Sequence, residues 1–256
     1  MHTHNGLIGF FDILGYQNLL EKNEPEDIAQ SVLNYLTNIN ATVTTTIKNI
    51  IDETTGKTAL KDAAKEVLDS LKWIIFSDTI LLTIPFESND KYRTTKWLAF
   101  LTTCIHLQTE MFRNGLPVRG VINYGKFYLQ DTCFAGRSII EAYDLCNKLE
   151  LAACILSPYA EAEIKDIINN SKNDSFQTNK TLVHEYLIPT KTGEFRYLVL
   201  SAHVYDIEDG NIMKQILSSF WGHNKDIPLS VQNKISNTEQ WLNFIKIKKE
   251  ELNNQT

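Results

Sequence analysis

Two apolar runs, Trp73-Ile74-Ile75-Phe76 and Ile80-Leu81-Leu82-Thr83-Ile84, are separated by only Ser77-Asp78-Thr79. Runs this short, rich in β-branched and aromatic residues, read as strands, and so brief a polar break joins them as a hairpin. Asp78 then sits at or beside the tip, where water or a ligand can reach it. A third run, Leu7-Ile8-Gly9-Phe10-Phe11, makes a buried strand over Gly6–Asp12 that carries Asp12 and is broken by Gly15. Burying an unpaired carboxylate is costly, and two carboxylates brought together repel unless a cation or a proton lies between them. A shared metal ion satisfies both aspartates. The plainer alternatives are a strand-end cap or buried ion pair for Asp12 and an ordinary turn aspartate for Asp78.

The remaining pattern supplies a topology. A long helix starts at Asn23 with Pro25, Glu26 and Asp27 in its first turn and continues toward Ile51, with Ile28, Val32, Tyr35, Leu36 and Ile39 on one face. Asp52–Leu71 reads as a loop or insertion with a short helix over Leu60–Leu68. Pro85–Asp90 reads as a loop, and Tyr92–Asn114 is a second long helix stopped by Gly115. Leu116–Asn123 is a strand carrying Arg119, Tyr124-Gly125 a turn, and Lys126–Leu129 the returning strand. A helix over Ser138–Leu149 follows Gly136, then a strand over Ala152–Leu156 and a helix over Tyr159–Ile168. A polar loop, Asn169–Lys180, precedes strands Leu182–Ile188 and Phe195–Val204. Helices near Gly210–Phe220 and Pro228–Leu252 close the chain.

Through Leu156 this is β-α-ββ-α-β, the split-βαβ pattern, so the expected fold class is α/β (α+β), ferredoxin-like and palm-type. Residues 1–160 form its core and 161–256 an extension of strands and helices packed on the same domain. In that topology the first strand lies beside the hairpin, which brings Asp12 and Asp78 to one edge of the sheet.

Charge and composition narrow the partners. The net charge of −6 argues against a general nucleic-acid coat, though a single nucleotide needs only a local cluster of cations or N–H groups. Cys104, Cys133, Cys146 and Cys154 form no C-x-x-C pair and read as reduced, mostly buried thiols. No signal peptide is visible in Met1–Asn5, and no apolar run approaches a membrane span. The expectation is a cytoplasmic protein with no direct membrane insertion.

Four segments together resemble a known family. Phe10–Tyr16 resembles the F-x-D-I-x-G-F strand of class III nucleotidyl cyclases, and Ser77-Asp78 stands where those enzymes have Gly-Asp. Pro117–Gly125 resembles their R-x-G-I-x-x-G strand, and Phe134–Tyr143 their G-x-x-V-N-x-A helix start. The local spelling resembles that of the Pycsar pyrimidine cyclases of bacterial anti-phage defence, and Trp221, Val231, Thr238, Trp241 and Leu242 resemble the extension those proteins carry.

The resemblance implies conversion of UTP or CTP to cyclic UMP or cyclic CMP plus pyrophosphate, as a second messenger read by a separate cyclic-nucleotide-responsive effector. It implies two divalent ions, Mg2+ or Mn2+, held by Asp12, Asp78 and the carbonyl of Ile13. Leu14, Gly15 and Tyr16 would meet the nucleotide, with Ile74, Phe76 and Gly136 beside it, and Arg119 and Arg137 would contact phosphate; the plainer readings are a strand arginine paired to a nearby carboxylate for Arg119 and a solvent-exposed side chain for Arg137. It also implies a homodimer with two composite sites. The sequence departs from purine cyclases where Ile140 and Asp144 replace an orienting Asn and Arg, and where Ile74 replaces an adenine-reading Lys. The alternative is a catalytically silent cyclase-homology module that binds a nucleotide or a partner protein.

Overall fold

The computed structural model describes residues 2–53, 58–87, 90, 92–130, 133–170, 182–201, 214 and 217–254. Strands are β1 (His2–Ile13), β2 (Lys72–Phe76), β3 (Thr79–Phe86), β4 (Val118–Gln130), β5 (Cys133–Ala135), β6 (Cys154–Leu156), β7 (Val183–Thr190) and β8 (Gly193–Leu200). Helices are α1 (Tyr16–Lys22), α2 (Pro25–Glu53), α3 (Thr58–Ser70), α4 (Arg93–Arg113), α5 (Arg137–Cys146), α6 (Pro158–Asn170) and α7 (Leu229–Asn253), with a 3-10 turn at Ser219–Asn224. The strands form one eight-stranded sheet in the order β2-β3-β1-β4-β6-β8-β7, with β5 on β4. Its β2-β3-β1-β4 portion is the ferredoxin-like arrangement, an α+β fold. The β7–β8 hairpin joins the same sheet through an antiparallel contact of Ile155 with Val199.

The period-two alternation of β1 organises both faces. Leu7, Phe11 and Ile13 point into a core with residues of α2, α3, α4 and α6, including Leu36, Ile39, Val67, Trp97, Phe100 and Ile164. Ile8 and Phe10 point the other way, toward Ala142 and Cys146 of α5 and Trp241, Leu242 and Ile245 of α7. Thr238 ties α7 to the sheet side by accepting the Ala152 N–H (2.9 Å). Cys104, Cys146 and Cys154 are buried free thiols.

Two readings need correction. Tyr124-Gly125 is not a turn: β4 runs unbroken from Val118 to Gln130, and its return is the three-residue β5. The reason is pairing, because β1 starts at His2 rather than Gly6 and matches β4 from His2↔Leu129 to Ile13↔Val118. Gly125 serves a different purpose. A Cβ there would lie 2.9 Å from Cβ of Ser138, so the missing side chain lets α5 lie against the strand. Likewise Pro85 is not a loop residue. It pairs with Gly6 inside β3, beyond the last β2 partner (Lys72↔Thr83), where its missing N–H interrupts no ladder. The short helix expected over Leu60–Leu68 is there and longer, the thirteen-residue α3 from Thr58 to Ser70. The first two residues of the expected loop Asn169–Lys180 belong to α6, which runs to Asn170; its remainder and most of the helix expected over Gly210–Phe220 lie outside the described residues.

Candidate functional site

The site is built at one end of the sheet, where β1 stops and β3 and β4 begin. Phe76 pairs with Thr79, leaving Ser77 and Asp78 as the two turn residues. Ser77 has φ 54°, the left-handed conformation that tight hairpin turns demand and that a non-glycine adopts at a cost. The Ile13 N–H donates to the Asp78 carbonyl (2.9 Å), stitching the turn to the end of β1. Asp12 lies opposite Thr79 on one side and Arg119 on the other. Arg119, Asp12, Thr79 and Phe76 thus form one cross-strand row on the α5 face of the sheet. A one-residue slip of β1 would turn Asp12 into the opposite core.

After Ile13 the chain reverses direction. The Leu14 N–H donates to the Pro117 carbonyl (2.8 Å), and Gly15, at φ 77°, forms the left-handed entry to α1. Tyr16 and Leu19 bury the inner side of α1. The result is an open cleft of about 520 Å3 lined by Asp12, Ile13, Leu14, Gly15, Tyr16, Asp78 and Arg119, among others. That volume suits a nucleotide-sized ligand.

The electrostatics are those of an under-compensated acidic pair. Burial pushes the Asp12 carboxyl above its ordinary range, Arg119 opposes that rise, and the charge of Asp78 adds to it. Tyr16 is also pushed up, by burial and then by Asp78, which places its phenol in the same field. Arg119 donates from Nε to Asp12 Oδ2 (2.8 Å), from one terminal nitrogen to the carbonyls of Asn147 (3.3 Å) and Leu149 (3.2 Å), and from the other to Asn147 Oδ1 (3.0 Å). Its guanidinium joins Asp12 to the C-terminal end of α5. That geometry makes Arg119 a holder of the carboxylate, where direct phosphate contact was expected. The Leu14 N–H, spent on Pro117, is likewise not offered to a ligand.

Asp12, Asp78 and the Ile13 carbonyl could hold a metal. All are oxygen donors, which hard divalent ions prefer, and a cation between the carboxylates would offset the repulsion that raises Asp12. Among the described residues no group of three or more His, Cys, Asp or Glu side chains forms a ready-made metal centre. Remaining coordination positions would fall to water or ligand oxygens.

Other expected residues lie elsewhere. The Arg137 side chain is 89% exposed and pairs with Glu141 (3.0 Å). Gly136 precedes α5, where a Cβ would meet the Lys126 carbonyl at 2.8 Å, so it permits close packing of the helix entry. Ile74 is half-buried against the α5-side core. Phe76 is 77% exposed on the edge strand, with Ile140 (61%) and Tyr143 (51%) exposed on α5. The cleft also contains residues not anticipated from sequence: Gln17, Asn18 and Glu21 of α1, Lys191 in the β7–β8 turn and Lys234 of α7. Lys191 and Lys234 bring positive charge to the cleft from beyond residue 160, that of Lys234 shared with Glu150 (3.7 Å). The one sequence cue was the Thr-Lys-Thr-Gly turn, which marks Lys191 as a tip residue without saying what it faces.

No protein-family model matches the chain, and no curated protein does. Solved structures align over most of it. The adenylyl cyclase CyaB from P. aeruginosa is 16% identical over 78% of this chain and 96% of its own, with a TM-score of 0.47. The guanylate cyclase domain of RhGC from Catenaria anguillulae in complex with GTP is 13% identical over 79% and 99%, TM-score 0.48. A class III adenylyl cyclase-like ATP-binding protein from Pseudomonas aeruginosa is 12% identical over 98% of this chain and 44% of its own, TM-score 0.42.

Proposed function

We propose that the chain is a nucleotidyl cyclase that closes a pyrimidine nucleoside triphosphate, UTP or CTP, into its 3′,5′-cyclic monophosphate with release of pyrophosphate. The observation that carries this reading is the meeting of Asp12 and Asp78 at the rim of one cleft, beside the left-handed Gly15 turn. Asp12, Asp78 and the Ile13 carbonyl would hold two divalent ions, Mg2+ or Mn2+. When bound, these would favour deprotonation of the ribose 3′-hydroxyl and offset charge at the α-phosphate. Arg119 fixes the direction of the Asp12 carboxylate. Gly15, without a side chain, lets backbone come close to the phosphates. Lys191 and Lys234 supply positive charge on the same cleft for the polyphosphate.

The choice of pyrimidine is supported by the spelling of the four motifs and by Ile74, an apolar residue where an adenine-reading lysine would stand. The same resemblance supports a role as an anti-phage second-messenger enzyme acting through a separate effector. It also supports a division into a core of 1–160 and an extension of 161–256. In the homodimer of this proposal, the exposed Phe76, Ile140 and Tyr143 form the covered face, and Arg137 reaches the partner's half of a composite site. Ile140 and Asp144, where purine cyclases carry orienting residues, favour one competing reading, a silent nucleotide-binding module.

The test is incubation with each of the four ribonucleoside triphosphates and Mn2+, with products identified by mass. A cyclic pyrimidine monophosphate is expected. Asp12→Ala and Asp78→Ala should each lower turnover by about 100-fold or more. Full activity in either variant overturns the metal assignment, and no product from any of the four overturns the cyclase reading in favour of the silent module.

A further inference from the structure

Behind the cleft, on the side of the Gly15 turn away from the acidic pair, lies a lysine that nothing above uses. Lys225 is 8% exposed. Its ammonium donates to two backbone carbonyls, of Gly115 (3.1 Å) and Ser219 (3.1 Å), and among the described residues it makes no ion pair with a carboxylate. Burial pushes its pKa down to about 8. A lysine held this way carries a desolvation penalty that a salt bridge does not offset, and a methionine would fill the space without it.

The position of the stem shows what the lysine is set against. A Cβ added to Gly15 would lie 3.3 Å from Lys225 Cδ, so the aliphatic chain forms the floor under the left-handed turn. The ammonium end grips Gly115, the left-handed stop of α4 (φ 72°). Two residues on, the Pro117 carbonyl accepts the Leu14 N–H. One residue later in the C-terminal segment, the Asp226 N–H donates to Asn18 Oδ1 (2.7 Å) and its carboxylate pairs with Lys22 (2.8 Å). The turn is thereby held between the α4–β4 junction and the Lys225-Asp226 pair. A small cavity of about 110 Å3, lined in part by Leu14, Gly15, Asn18 and Lys225, leaves room for the turn to relax if that floor is removed.

We infer that Lys225 is a positioning residue for the nucleotide-facing turn Leu14–Tyr16, through which the C-terminal segment sets the shape of the cleft. This rests on the reading of that turn as nucleotide-facing. Lys225 does not line the cleft, so it acts on substrate only through Gly15.

The test pairs a kinetic measurement with one that needs no turnover. In the nucleotide-free full-length protein, Lys225→Met should speed hydrogen exchange at the Leu14 and Leu19 amides about tenfold and leave the β7–β8 amides unchanged. In steady state with Mn2+ and the pyrimidine triphosphate, the same variant should raise KM about fivefold or more while kcat stays within about twofold. Lys225→Arg, which keeps donors and charge, should restore both. Should the methionine variant not fold, Lys225→Gln carries the same comparison. Unchanged exchange at the turn, or exchange raised uniformly through the sheet, overturns the inference. Loop-selective exchange in a protein that makes no product from any triphosphate sustains the inference and removes the cyclase reading.

Discussion

Asp12 is held at a cost. Its folded-state pKa lies above the ordinary carboxylate value, chiefly through burial, so the native state keeps the proton to higher pH than the unfolded chain does. The contribution of Asp12 to stability therefore falls as pH rises from about 4 through the folded-state value, and at neutral pH the ionised group is a net burden. Metal-free Asp12→Asn should melt above the wild type at pH 7, with the difference vanishing near pH 3; thermal melts in chelator at both pH values check this. Arg119→Lys keeps the charge and loses the planar fork that bonds Asp12, Asn147 and Leu149. We expect a stability loss of about 2 kcal/mol by urea unfolding and at least a tenfold drop in turnover. The acidic pair was legible because each aspartate stands alone in an apolar run. An ion pair between Arg119 and a nearby carboxylate was open to the sequence, but its anchorage was not, because Asn147 and Leu149 lie 28 and 30 residues from Arg119 at the end of another element. No local signal told what Lys191, Lys225 and Lys234 face: a lysine in a turn or near a helix looks the same whether it faces solvent or a cleft.

At the scale of elements, the hairpin, the long helices and the order of the strands followed from periodicity and from Gly115 and Pro25 as punctuation. The error at Tyr124-Gly125 came from reading a glycine as a turn when it is a place of close approach. Gly120 shows the same use more strongly. It lies opposite Phe11 on β1, and a Cβ there would fall 2.5 Å from the ring. The aromatic side chain lies across the bare glycine, one residue from both Asp12 and Arg119. Gly120→Ala should therefore cost about 1–3 kcal/mol through displacement of that ring, and Phe11→Leu in the same chain should recover part of it. A double-mutant cycle in denaturant measures the coupling.

At the scale of the molecule, the sheet has two coverings of unequal extent. Helices α2, α3, α4 and α6 pack on one face, while α5 and α7 pack on the other and leave apolar groups exposed toward β2. Phe76, Ile140 and Tyr143 are large apolar side chains facing solvent there. On the proposed homodimer, the wild type should sediment as a dimer and Phe76→Asp and Tyr143→Asp as monomers, with circular dichroism unchanged and product formation lost. No helix among the described residues is long and apolar enough to cross a membrane. The sequence could announce the first strand and the hairpin as neighbours, but not that the cleft they open would be finished by residues from the last quarter of the chain.

That distance along the chain has a consequence for synthesis. The Asp226 N–H reaches back 208 residues to Asn18, and Lys225 and Lys234 border the same turn. A nascent chain leaving the ribosome can pair β1 with β3 early, yet its acidic pair faces an unfinished pocket until the final helix has been translated. Chains stopped before Lys225 therefore lack the two lysines and the Asp226 contact that complete the cleft and the turn behind it.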